Sequence, residues 1–564
     1  MSGSRSVATR TLVGLALILV AAWTSSAARS GAAAIQCVDV AEARGLTFRG
    51  AYGSVVEDRD QMARMMERNM GNGVAVGDYD RSGYLSVYLL GQNGHPSKLF
   101  RNEPDAGGKR RFSDVTEAAG LGGQRGQSRV AFFVDLDGDG WLDLVVINDR
   151  DTDGRLPPSK IYRNNRDGTF SDVTSRSGFD PVGYIVGGAA FADFNKDGLP
   201  DLYISYWTKN MGRTPAAGAD RVADQFPGRN RLYRNLGGFR FQDVTEEVGL
   251  GVLAIDTFTP VFADLSGGGY PDIYLPADFG ERDRFFQNLG RRFRDASREF
   301  GVGHAGNDMG VAVADLDGDG LLELYITGIT DPSGKHGVNP GNVLLRRKGH
   351  GHAVYEDHAA ELGVRDTAWG WGTAFVDVDL DGHLDIYTVQ GFHEFVGSSS
   401  PALRNARAVL FRNDGKNRFA PTRGTGCEVE GDQRALVVLD YNRDGAPDLL
   451  ITQVNGPTRL LENRTTPRGR WLTIACDGRG SRCIGARVYL TIGGRTTGQV
   501  LLAGGSYLAG PPLEAYFGLG ANPRADELRI VWPSGQETVL RQVAADQVIR
   551  IVAPPVSDED SLPP

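Results

Sequence analysis

The chain has 564 residues, of which 41% are hydrophobic and 23% charged, with a net charge of −9 and a mean hydropathy of −0.28. That length holds a large core and a second, smaller domain. The acidic balance, without a basic tract, argues against a nucleic-acid partner, and no stretch beyond the N-terminal segment is apolar enough to span a bilayer.

Arg5 and Arg10 precede an apolar run from Leu12 to Trp23 and small residues from Ser25 to Ala28. This is the pattern of a secretory signal peptide, with cleavage expected between Ala27 and Ala34. The run is short for a membrane anchor, which needs roughly 20 residues. Residues 1–34 are therefore read as a signal peptide, and the mature protein as secreted or periplasmic. Ala34, Ile35 and Gln36 do not make a lipobox ahead of Cys37.

From Asp78 onward one acidic loop recurs seven times, at intervals of 51 to 71 residues. The best copy runs Asp135-Leu136-Asp137-Gly138-Asp139-Gly140-Trp141-Leu142-Asp143. Oxygen ligands stand at positions 1, 3, 5 and 9, a glycine at 6 takes the sharp turn, and the carbonyl of position 7 fills a gap. A hard cation such as Ca²⁺ is wrapped in this way. Two further copies are close to ideal: Asp315, Asp317, Asp319, Leu321 and Glu323, and Asp377, Asp379, Asp381, His383 and Asp385. Two carry Asn at position 3: Asp193, Asn195, Asp197, Leu199 and Asp201, and Asp440, Asn442, Asp444, Ala446 and Asp448. The first copy (Asp78, Asp80, Ser82, ending in Ser86) and the fourth (Asp264, Ser266, Gly268, ending in Asp272) are worn. Five good Ca²⁺ sites and two weak or empty ones are expected, with a structural role. The flanks are short, apolar and β-rich, as in Val130 to Val134 and Leu144 to Ile147, which excludes the helices of an EF-hand.

Two signatures repeat in step. An apolar pair followed by Arg-Asn closes at Asn102, Asn164, Asn235 and Asn413, with variants ending at Asn288 and Asn463. Phe-x-Asp-Val-Thr stands at Phe112 to Thr116, Phe170 to Thr174 and Phe241 to Thr245. Each unit thus reads strand, cation loop, strand, insert, strand, turn, strand, which is one propeller blade. Val38 to Leu46 resembles Asp114 to Leu121, so the mature chain opens with a fourth strand. The last repeat ends at Asn463 without one, and the N-terminal strand is expected to complete it. The fold class is all-β: a seven-bladed propeller over residues 35–465, followed by a small sandwich-like domain over 466–552 and a disordered Pro- and acid-rich tail at 553–564.

These residues resemble the FG-GAP/VCBS propellers. The further motifs Arg470 to Ile474, Ile484 to Val488, Phe517 to Gly520 and Val531 to Gly535 stand where an ASPIC/UnbV domain carries its own. The pairing of the two resembles the cartilage acidic protein family. The Ser481-Arg482-Cys483 segment departs from it, since that family tends to carry an Asn-Arg pair nearby.

Four cysteines in an exported chain suggest disulfides. A local pair, Cys476–Cys483, leaves Cys37–Cys427 to latch the seam of the ring, the alternative being buried thiols. Strand alternation puts the cation loops on one face and the variable inserts on the other, together with the blade connections. The inserts and connections include Thr208 to Arg229, Gly328 to Asn342, Gly391 to Arg407 and the long Thr47 to Met70. Arg129, Tyr184, Tyr206, Trp207, Asp256, Asp278, Asn307, Asp308, Trp369, Trp371, Gln390, His393, Glu394 and Arg434 are expected to ring the channel mouth there. Recognition of a protein or glycan partner, as in cell adhesion, is the expected function. The alternative is an enzyme acting on a small molecule or sugar at that mouth. Phosphate-loop, nucleophile-elbow and zinc-protease motifs are missing from the sequence, and His350, His352 and His358 read as a polar turn rather than a metal site.

Overall fold

The computed structural model describes residues 33–554 apart from 51–69, 72, 93, 124–125, 150–156, 182–184, 208–228, 252–254, 331–339, 348–353, 392–405 and 478–479. Most of the signal segment, most of the inserts, Tyr184, His393, Glu394, His350, His352 and residues 555–564 of the tail lie outside the described residues, while Ala553, expected in the disordered tail, is buried in the C-terminal core.

The described strands form seven blades. Blade 2 shows the pattern: Ser128–Val134, Asp143–Asn148, Lys160–Asn164 and Phe170–Asp172 pair antiparallel in that order. Its two inner strands are buried at every position, because each blade is covered by a neighbour on both sides. The third and fourth strands are only partly buried, with Arg163, Ser171 and Asp172 exposed toward the rim.

Blade 7 closes the ring. Asp432–Leu439, Asp448–Val454 and Arg459–Asn463 come from the end of the repeats, and Cys37–Asp39 supplies the fourth strand, with Cys37 opposite Asn463 and Asp39 opposite Leu461. The Cys37–Cys427 disulfide ties this strand to the preceding connection across a separation of 390 residues. Such a crosslink removes much chain entropy from the unfolded state, on the order of 5 kcal/mol in the loop-closure picture.

The C-terminal region forms two sheets. One pairs Glu514–Gly520, Arg470–Cys476 and Gln547–Ile551, and the other pairs Arg495–Val500, Arg487–Ile492, Arg524–Val531 and Glu537–Ala544. They enclose one apolar core that includes Leu472, Ile474, Val488, Leu490, Phe517, Leu528, Ile530 and Trp532, giving the expected sandwich-like domain. Cys476 and Cys483 are bonded at its edge.

This domain sits on the cation-loop face and sends a loop through the propeller. Gly498 bridges Asp315 at the cation end, Ala503 bridges Phe191, and Ser506 N–H donates to Val311 O further up. Tyr507 reaches the far end, where its hydroxyl donates to Met70 O at 2.6 Å. The chain then returns as Ala509–Gly510, paired parallel with the inner strand Val74–Gly77 of blade 1 as a fifth strand. Gly510 allows this approach, since a Cβ there falls 2.2 Å from Ala131 O.

Candidate metal centres and the opposite face

Each good loop is held by its own acids. In blade 2, Asp135 Oδ1 accepts from Gly138 N–H and Asp139 N–H, and Oδ2 accepts from Gly140 N–H, all within 3.1 Å. Asp143 at position 9 accepts from Leu136 N–H with one oxygen and from Asn164 N–H with the other. Position 5 accepts from the N–H of position 7: Trp141 to Asp139, Leu199 to Asp197, Leu321 to Asp319, His383 to Asp381 and Ala446 to Asp444, each at 2.8–3.0 Å. The position-9 pattern repeats at Asp201, Asp385 and Asp448. These bonds curl the loop so that its remaining oxygens turn toward one point.

Among the described residues, acidic ligand atoms fall within 4.8 Å of one another in three of the loops: Asp135, Asp137 and Asp143; Asp315, Asp317 and Glu323; and Asp377, Asp379 and Asp381. These buried clusters could hold a metal ion. Asp193–Asn195–Asp197–Asp201 and Asp440–Asn442–Asp444–Asp448 share the same fold of loop, with an amide at position 3. Without a cation the acids raise one another. Burial, with neighbouring carboxylates adding to it, pushes Asp135 and Asp315 up to about 6 and Asp193 to about 7. Burial likewise takes Asp143, Asp201, Asp377, Asp385, Asp448 and Glu323 well above the usual range. All-oxygen donor sets with such mutual repulsion fit a divalent cation. Guanidinium groups share part of the charge: Arg166 pairs with Asp139, Arg346 with Asp317, Arg412 with Asp379 and Asp381, and Arg468 with Asp444.

The worn loops are completed differently. Asp264 pairs with Arg487 of the C-terminal domain at 3.2 Å, and the same guanidinium donates to Asp264 O. At the first loop the charges of Arg550 and Arg443 oppose the burial that takes Asp78 up to about 6. A Cβ built at Gly83 would lie 3.2 Å from the Arg550 guanidinium. Asp272 still closes its loop, accepting from Ser266 N–H and Asn288 N–H, so the fourth loop keeps its shape although Ser266 and Gly268 stand at positions 3 and 5.

The Arg-Asn signature proves to be a staple between blades. Asn164 Nδ2 donates to Tyr79 O, Asn235 to Leu136 O, Asn288 to Phe194 O, Asn463 to Val378 O and Asn102 to Tyr441 O, each at 2.8–3.0 Å. Every acceptor is position 2 of another blade's cation loop, so five of the seven loops are tied to a neighbouring blade in this way, whereas Asn413 donates to Leu384 O within its own blade.

The expected channel mouth is corrected by the structure. Arg129, Asp256, Asp308, Trp371 and Arg434 are at most 1% exposed, and Trp207 and Trp369 are buried as well. The C-terminal loop fills the space they were to line: Tyr507 packs 4.8 Å from Trp371 and 5.8 Å from Phe258, and Arg434 lies over Trp371 at 4.4 Å. Arg129 is paired with Asp149, and Trp207 Nε1–H donates to Asp278 at 2.7 Å. A cavity of about 140 Å³ remains beside the loop, lined by Thr373, Leu436, Gln499, Ser506 and Tyr516 among others.

What the opposite face does present is Phe279, which is 40% exposed. Its φ is 55°, an unusual value for a bulky residue. The N–H is held there by Asp278 Oδ1 and Asn307 Oδ1, and the ring lies 5.4 Å from Trp207. Nearby, His304 sits between Asp283 and Asp308. Burial disfavours its charge, but the two carboxylates outweigh it and take His304 up to about 10. Neither Phe279 nor the His304 group was legible in the sequence; the i,i+4 spacing of His304 and Asp308 was the one local hint.

The ASPIC and UnbV family model matches residues 478–558, and the FG-GAP-like repeat model matches residues 135–204. In these two stretches the chain is similar to FG-GAP-like repeat proteins and to the ASPIC/UnbV domain. It is 26% identical to human cartilage acidic protein 1 over 518 residues, covering 87% of this chain and 73% of the relative. The mouse protein gives 26% over 514 residues, with 87% and 74% covered. Among solved structures, an Agrocybe aegerita lectin that recognises non-reducing terminal N-acetylglucosamine aligns at TM-score 0.39 and 18% identity, covering 70% of this chain and 94% of that one. Rhamnogalacturonan lyase YesW aligns at TM-score 0.35 and 13% identity, covering 69% and 71%.

Proposed function

We propose that this is an exported recognition protein: a propeller held rigid by Ca²⁺ in five loops, binding a protein or glycan partner through the face opposite those loops. One observation carries the reading. The cation-loop face is covered by the C-terminal domain and the channel is filled by that domain's own loop. The face with the inserts and the exposed Phe279 is the broad propeller end left for a partner, and such loops on a rigid scaffold are where binding concentrates. Two disulfides and relatives named for cartilage support a location outside the cell, and among the described residues no helix is long and apolar enough to cross a membrane. An exposed aromatic beside a carboxylate suits either the apolar face of a sugar ring or a peptide side chain.

The test is a screen of the Ca²⁺-saturated full chain against a glycan array and a panel of extracellular matrix proteins. Phe279→Ala is run beside wild type. The expected result is a set of ligands whose binding drops at least tenfold in the variant. Identical profiles for the two proteins would count against this face.

A further inference from the structure

Three side chains converge at the outer end of blade 4, away from the cation loops. Asp283 stands just before the third strand, Arg284–Asn288, while His304 and Asp308 come from the connection leading to blade 5. Each offers one ligand atom, and these atoms lie within 4.8 Å of one another. His304 Nδ1 is 3.3 Å from Asp283 Oδ2, and its Nε2 is 2.8 Å from Asp308 Oδ2. These contacts are close but not aligned as hydrogen bonds: both ring nitrogens and both Asp308 oxygens are buried without one. Buried polar atoms nearly always have such a partner. Three of the four are met only by the ion pairs inside the cluster, while Asp308 Oδ1, on a fully buried side chain, has no partner, which leaves the cluster short of a positive group there.

Asp283 is held as an oriented ligand would be. Ala277 N–H donates to its Oδ1 at 2.8 Å, and the Tyr274 hydroxyl donates to its Oδ2. Outer partners of this kind fix the direction of a metal-binding carboxylate. Asp308 is set by its own backbone, whose N–H donates to Ala277 O at 3.0 Å, so one short turn positions both acids. His304 borders a surface groove formed with Arg282, Arg298 and Gly303, which gives an ion a way in.

We propose that Asp283, His304 and Asp308 bind a divalent transition-metal ion of the Zn²⁺ class, at a centre separate from the acidic loops. The donor set decides the class. Ca²⁺ and Mg²⁺ take oxygen ligands, whereas one imidazole nitrogen with two carboxylates suits Zn²⁺, Mn²⁺ or Fe²⁺. One ring nitrogen binds the ion, the two carboxylates draw in to about 2.0–2.2 Å, and the remaining position faces the groove. In the ion-free chain the imidazole itself bridges the two acids. The centre lies in the same stretch of chain as Asp278 and Asn307, which hold Phe279, so an ion there stiffens the surface around that ring.

The test uses the full chain saturated with Ca²⁺, so that the acidic loops are filled, and titrates it with Co²⁺. One Co²⁺ per chain, with visible d–d absorption that Zn²⁺ abolishes, is expected. His304→Gln and Asp308→Asn should each remove the band and leave the Ca²⁺ count unchanged. Uptake by wild type equal to that of both variants, or none by wild type, overturns the proposal. A reading free of substitutions comes from the ring ¹⁵N resonances of His304 in wild type. They should change from the doubly to the singly protonated pattern when Zn²⁺ is added. A ring that stays doubly protonated under excess Zn²⁺ also overturns it.

Discussion

Five of the cation loops and the other two differ in what completes them. In the loops at Asp135, Asp315 and Asp377 acidic ligand atoms lie within 4.8 Å of one another, the loops at Asp193 and Asp440 share their hydrogen-bonded shape, and burial pushes the position-1 acids of all five upward. In the loop at Asp264 two ligands are missing, and Arg487 from the C-terminal domain supplies the positive charge. The loop at Asp78 ends in Ser86 and lies beside Arg550. The loop fold survives in both groups because backbone N–H groups still close on position 1, as at Gly83 to Asp78 and Gly269 to Asp264. The acids of the fourth loop thus meet a guanidinium from the covering domain, whereas the five fuller loops keep more buried carboxylates than their own arginine partners offset.

The largest effect that could break this comparison is chelation. Each filled site stabilises by about 4 kcal/mol when free Ca²⁺ is a thousandfold above its Kd. Removing five ions should lower Tm by roughly 10 °C or more, followed by calorimetry with and without chelator. An unchanged Tm would remove the structural role of the metal.

The pH dependence should invert with the metal. In the ion-free chain the folded-state carboxyls are raised, Asp135 and Asp315 to about 6 and Asp193 and Asp440 to about 7. Below about pH 4 these groups are protonated in both folded and unfolded chains. As pH rises the unfolded chain loses its protons first, so stability falls between about pH 4 and 7, on the order of 3–4 kcal/mol per carboxyl. With Ca²⁺ present the charged form is the one that binds, and stability should rise over the same window. Urea titrations at pH 4.5 and 7.5, with and without Ca²⁺, read the sign directly. The same slope under both conditions would contradict the account.

A single-loop change should act on one site. Asp377→Asn keeps the size of the residue but removes a buried ligand that also accepts from Asp381 N–H and Gly382 N–H. The expected cost is about 2–4 kcal/mol in Ca²⁺ and less in chelator, with one ion lost from the count. Arg487→Ala is the smallest of these changes. It should cost about 1–2 kcal/mol equally with and without Ca²⁺, because its loop holds no ion. If Arg487→Ala becomes worse when Ca²⁺ is removed, the fourth loop binds metal after all and the two groups merge.

The ring was legible in the sequence because it repeats. The period of the loops, the Arg-Asn ends and the Phe-x-Asp-Val-Thr segments gave the order of strands in each blade. The likeness of Val38–Leu46 to a fourth strand gave the closure at Cys37–Asp39. The passage of residues 498–510 through the channel was not legible. Tyr507 meets Met70 across 437 residues, and a contact made once leaves no periodic trace. The same blindness misplaced Trp371, Arg434 and Arg129. A large polar or aromatic residue at the start of an inner strand reads alike whether its end of the channel is open or filled. Nothing in the sequence sets Arg487 and Arg550 apart from the other charges of the C-terminal domain, because the acids they face belong to distant blades. Asp283, His304 and Asp308 are spread over 26 residues in two connections, with no spacing that marks them as a set.

The count of tightly bound Ca²⁺ per chain tests the central claim most directly. Native mass spectrometry of the full protein, loaded with Ca²⁺ and exchanged into metal-free buffer, should find five ions. None, or seven, would contradict the division of the loops into five that bind an ion and two that do not.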